Sequence, residues 1–94
     1  MTCYRITRLK ALDSDKIKEI GERMRETIET IGANFVDVAE DNDGNVVVVA
    51  RYPDDATMDA ATATAQNAFE QMIAQGAADG SSINQWNGKV VMSF

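Results

Sequence analysis

Ninety-four residues, 45% of them hydrophobic and 26% charged, are the size and composition of one ordinary globular domain. The net charge of −6, from 15 acids against 9 bases, disfavours nucleic acid and anionic membranes as partners, because an acidic surface repels phosphate. No histidine and a single cysteine exclude an internal disulfide, a cysteine-based zinc cage, a Cys–His nucleophile and a histidine general base.

Residues from about Cys3 to Leu12 read as a first strand. Its start, Met1-Thr2-Cys3-Tyr4-Arg5, has no apolar run of the kind a signal peptide needs, and no stretch of the chain nears the roughly 18 apolar residues of a membrane span. A cytoplasmic location follows as the expectation. The chain opens on its own Met and carries no linker, so it reads as a single domain over 1–94 rather than a piece cut from a longer protein.

Asp13 is a good N-cap for a first helix, with Leu12 and Ile17 placed for a hydrophobic staple. Ile17, Ile20, Met24, Ile28 and Ile31 recur at three- and four-residue steps and share one face. The opposite face is charged and reads as solvated, with i,i+4 pairs such as Glu19–Arg23. Gly32 stands where a C′ glycine ends a helix.

Ala33 to Glu40 and Asn45 to Tyr52 read as the second and third strands, joined by a three-residue loop at Asn42-Asp43-Gly44. The run Val46–Val49 marks a strand that is apolar on both faces, and Pro53 ends it. Asp41–Asn45 is a turn and not a calcium loop, since alanines occupy the positions where acidic ligands are required. Asp54 or Asp55 caps an alanine-rich second helix to about Ala78, with Met58, Thr62, Ala65, Phe69, Met72 and Ile73 as its buried stripe. Ser82 to Phe94 is extended, and Asn87-Gly88 predicts that this last strand folds back as a small hairpin.

Strand, helix, strand, strand, helix, strand is the split βαβ order of an α+β, ferredoxin-like fold: an antiparallel sheet in order 4-1-3-2 with two helices on one face. Period-two alternation predicts Tyr4, Ile6, Val36, Val38, Val46, Val48 and Ala50 under the helices. Arg5, Thr7, Leu9, Phe35, Asp37, Val47, Val49 and Arg51 then fall on the open face. That face is too apolar to leave in water, and a second copy of the sheet would cover it. On the amphipathic helix Ile17–Ile31, the hairpin around Asp43-Gly44 and the alanine-rich helix Asp55–Ala78, the chain resembles the dimeric α+β-barrel superfamily, which includes antibiotic-biosynthesis-type monooxygenases. The resemblance implies a homodimer closed sheet to sheet, with small ligands between sheet and helices or between subunits.

Two arginines, Arg5 and Arg51, are predicted to converge at one end of the open face, where they would bind a carboxylate or enolate against Phe35. The plainer alternative pairs them with Asp37 or with acids of the second subunit. Asn84 and Trp86 share a face of the last strand, and the resemblance implies substrate positioning by an asparagine–tryptophan pair. Trp86 is otherwise a core or interface aromatic. Cys3 reads as a small buried strand residue, and the methionines as core.

No cofactor and no metal are expected. The functional readings are a small dimer that binds an anionic or aromatic molecule, a cofactor-independent monooxygenase or isomerase on the same scaffold, and a purely structural interaction module.

Overall fold

The computed structural model covers residues Met1–Phe94. Eight elements run in the order β1 (Cys3–Ala11), α1 (Ser14–Arg23), α2 (Arg25–Glu29), β2 (Phe35–Glu40), β3 (Asn45–Tyr52), α3 (Asp55–Ala60), α4 (Thr62–Ala74) and β4 (Ala78–Lys89). The four strands form one antiparallel sheet in the order β2-β3-β1-β4. The fold is α+β and ferredoxin-like, with the helices layered on one face. No helix is long and apolar enough to cross a membrane.

Local chemistry accounts for each junction. The Asp13 carboxylate accepts from the Lys16 amide at the start of α1, and the Asp54 carboxylate accepts from the Thr57 amide at the start of α3, each satisfying one free donor of a helix end. Leu12 is 65% exposed, so the staple with Ile17 is not made, although Ile17 is buried. The predicted first helix is two segments interrupted at Met24 (φ −95°, ψ 1°), across which the i→i−4 bonds continue. Ala61 interrupts the second in the same way. The charged face pairs Arg25 with Glu22 and Lys16 with Glu19, both at i,i+3.

The β2–β3 turn is the three-residue loop the sequence predicts, because Asp41 pairs with Asn45 and Gly44 takes φ +81°. The Asp41 carboxylate fixes this turn by accepting from the Asp43 and Asn45 amides and the Asn45 side chain. α4 ends at Ala74, short of the predicted Ala78. There Gly76 takes φ +72°, its amide bonds the Ile73 carbonyl, and the Ala77 amide bonds Met72, which together make a Schellman stop.

Two corrections concern the sheet. First, Asn87-Gly88 does not turn: β4 is one strand through Lys89, with Trp86 opposite Ile6 and Gly88 opposite Tyr4. The Trp86 indole lies over Gly88, and a Cβ there would stand 2.1 Å from the ring, so the glycine is a seat for the aromatic and not a turn residue. The real irregularity lies earlier, where the β1–β4 register shifts between Arg8 and Lys10, and the Ser82 hydroxyl accepts the Lys10 amide in place of a ladder carbonyl.

Second, β1 is turned over relative to the sequence expectation. Cys3, Arg5, Thr7 and Leu9 are the buried positions and face the helices. Tyr4 and Ile6, only partly buried, alternate with them and share the open face with exposed Arg8 and Lys10. The register pairs Arg5 with Ala50 and Thr7 with Val48, which lie under the helices as the alternation of β3 predicts, and paired residues share a face. The core divides in two. One cluster is built on Leu9, Ile17, Ile20, Met24, Val46 and Met72, and the other on Cys3, Ala50, Tyr52, Met58 and Ala61.

Candidate functional site

Between the sheet and the helix layer lies a cavity of about 620 Å³. Its floor is Thr7, Val36, Val46, Val48 and Ala50, and its roof is Ile20, Met24 and Ile28 on one side and Ala65, Ala68, Phe69 and Met72 on the other. The small side chains of α4 explain the space: Ala65 and Ala68 give the helix a thin surface, and it stands over the sheet without filling the gap. Volumes of this order, with mostly apolar walls and a few polar groups, are those of small-molecule sites.

Arg5 stands in the wall of this cavity and is only 5% exposed. Its Nη2 donates to the Met58 carbonyl (3.2 Å) and to Thr62 Oγ1 (2.7 Å). Its Cζ lies 5.8 Å from the centre of the Tyr52 ring, close enough for a cation–π contact. Its Nε and Nη1 are buried and have no acceptor. None of the ion pairs in the chain involves it. Burial pushes the Tyr52 phenol up, and Arg5 partly opposes that rise through its charge and the approach of its side chain to the phenol, although no Arg5–Tyr52 bond reaches hydrogen-bond geometry. Cys3, fully buried on the same strand, has its thiol pushed up by burial and by the Asp55 carboxylate.

The predicted partnership of Arg5 with Arg51 does not form. Arg51 pairs with Tyr4 across the strands and shares the open face with it, while Arg5 is on the helix face one residue along, so the two guanidinium groups point to opposite sides of the sheet. Arg51 lines a cleft formed with Tyr4, Lys89 and the segment Val90–Phe94, and its Nε is buried without a partner. Asp37 is exposed on the open face and pairs with neither arginine. Phe35 packs edge-on against Tyr4 with ring centres 6.4 Å apart, at the border of the cavity. Asn84 and Trp86 are both exposed on the open face, opposite Arg8 and Ile6, and neither lines the cavity. Thr7, Thr64 and two alanines of α4, Ala65 and Ala68, also line it, and nothing in the sequence marks them as site residues. No group of three or more cysteine or carboxylate side chains gathers in a metal-binding arrangement.

No protein-family model and no curated protein matches the chain in sequence. Solved structures do match its fold. A protein of unknown function from Nitrosomonas europaea superposes with a TM-score of 0.77 at 12% identity, over 99% of this chain and 92% of that one. SnoaB, a cofactor-independent oxygenase from Streptomyces nogalater, gives 0.75 at 9% identity, over 98% and 95%. A candidate antibiotic biosynthesis monooxygenase from Bacteriodes thetaiotaomicron gives 0.61 at 15% identity, over 97% and 90%. The chain therefore shares the ferredoxin-like fold of these proteins, spanning nearly the whole of each.

Proposed function

We propose that this protein binds a small, largely apolar or aromatic molecule in the space between its sheet and its helices, as a homodimer joined through the open sheet face. The observation that supports it most directly is the 620 Å³ cavity with a buried arginine in its wall, since a fold with no ligand to hold gains nothing from either. The uncharged fluorescent probe N-phenyl-1-naphthylamine tests the cavity. Its emission should rise and saturate at one probe per chain. Ala68→Trp, which sends an indole into the space, should abolish the rise while circular dichroism stays unchanged. An absent or unsaturable signal, or one indifferent to Ala68→Trp, rejects the site.

One further reading is favoured by a specific likeness, the fold shared with a cofactor-independent oxygenase. A buried guanidinium beside an apolar pocket would stabilise an oxyanion on a bound aromatic substrate. With no histidine in the chain, its base would have to be a carboxylate, water or the substrate itself. Oxygen consumption with hydroxylated aromatic compounds checks this reading, and its absence across a broad panel returns the protein to binding alone. The open cavity beside Arg5 weighs against a purely structural module.

A further inference from the structure

We infer that the cavity selects a carboxylic acid with an apolar body, and that Arg5 receives the carboxylate. This rests on the ligand-binding reading above and names the class of ligand. The argument begins with unmade bonds. A guanidinium carries five N–H donors and stays charged at any ordinary pH. Nη2 has two acceptors, Met58 O and Thr62 Oγ1, and the remaining donors, on Nε and Nη1, have none. Buried polar groups in folded proteins are nearly always satisfied, and buried charges nearly always compensated. Arg5 is neither.

The chain itself supplies no counter-ion. The other charged residues around the cavity, Lys18, Glu22, Arg25, Glu29 and Glu40, are all exposed at its rim. Glu22 is held by Arg25, and Glu40 accepts the Ser14 hydroxyl. The missing partner therefore comes from outside. It carries one charge, because a dianion facing a single buried cation would leave a net negative charge in the interior. A carboxylate fits best, being planar, ionised at neutral pH and matched to guanidinium donors. The rest of the ligand meets Ile20, Met24, Val48, Ala68 and Phe69, so it is apolar.

The test compares 2-naphthoate with its neutral isostere 2-naphthamide by calorimetry at pH 7, on the whole chain and on Arg5→Met. The acid should bind the native protein about tenfold or more tightly than the amide, the increment of a charge-assisted hydrogen bond. In Arg5→Met that preference should vanish while the amide affinity stays within about twofold. Equal affinities in the native protein overturn the inference and leave the cavity reading standing. Failure of both ligands overturns the inference, and the naphthylamine titration then shows whether the cavity reading falls with it. An acid preference that survives Arg5→Met assigns selection to Lys18 and Arg25 at the rim and overturns the role of Arg5. Should Arg5→Met fail to fold, the double variant Lys18→Gln, Arg25→Gln decides the question: an acid preference that persists in it supports Arg5, and one that vanishes assigns selection to the rim and overturns the role of Arg5.

Discussion

A guanidinium without a counter-ion in a protein interior lowers the stability of the ligand-free state. Removing a buried charge that has no counter-ion removes its desolvation cost, and Arg5→Met should raise the unfolding free energy measured in urea by about 1 kcal/mol or more. A clear loss would mean that the ties from Nη2 to Met58 and Thr62, which join β1 to the α3–α4 junction, outweigh the buried charge. Cys3 makes a second residue-scale expectation. Its folded thiol ionises above the ordinary value of 9.0, because burial and Asp55 both disfavour the thiolate. The fold thus prefers the neutral form. This contribution to stability is whole below about pH 9, where the unfolded thiol is also neutral, and is lost as pH rises toward the raised folded value. Labelling of native protein with a thiol reagent at pH 8 should be slow and should accelerate sharply in urea. Rapid native labelling would place Cys3 at the surface. Arg5 also shows where sequence alternation fails. Both faces of β1 carry apolar residues, Cys3 and Leu9 on one and Tyr4 and Ile6 on the other, and the bulkier pair reads as the core. The inward set contains an arginine and a threonine because this part of the interior is a cavity wall and not a filled core.

Elements were legible where one local cause acts alone. Asp13 and Asp54 cap, Gly44 and Asp41 turn, and the three-residue loop fixes β3 against β2 in the predicted register. Where a residue answers to a distant partner, local reading gives the wrong element. Gly88 carries a strong turn signature with Asn87, yet it is small because Trp86 lies over it. Gly32 obeys both kinds of cause. It takes φ +81° after the first helical region, and a Cβ there would come within 2.7 Å of Thr57 Cγ2 in α3. Gly32→Ala should therefore cost about 1–2 kcal/mol from the left-handed backbone, plus the displacement of Thr57. Urea midpoints would show it, and an unchanged midpoint would mean that the connection into β2 relaxes freely. α3 has only six residues and depends on its cap. Asp54→Ala should cost about 1 kcal/mol by the same measurement, whereas Asp54→Asn, which keeps the acceptor, should cost much less. Thr57 amide hydrogen exchange would assign the loss to α3.

At the scale of the molecule, helices cover one face of a four-stranded sheet and leave the other bare. That bare face carries Tyr4, Ile6, Val47, Val49, Phe35 at 37% exposure and Trp86 at 57%. It is legible in the sequence as an apolar open face even though β1 is turned over relative to the alternation, because β2 and β3 lie as the alternation places them and β1 is apolar on both faces. Large apolar patches on small proteins mark interaction surfaces, and stable protein interfaces bury about 1,200–2,000 Å² in total. A second copy meets this need without any other partner, since a two-fold axis sets like against like and buries both patches at once. Sedimentation velocity should therefore give twice the 10.3 kDa chain mass at micromolar concentration. Val49→Lys separates assembly from folding. Val49 faces away from the cavity and stands opposite Asp37 on β2, so a lysine there meets an acid within its own chain and the monomer keeps its fold. Across a two-fold interface the same substitution buries two added cations and should shift the protein to monomer. If the variant stays dimeric with native circular dichroism, the subunits meet through some surface other than the sheet. If the native protein is monomeric across the same range, the bare face has no second copy on it, and the cavity must serve as a binding site within a single chain.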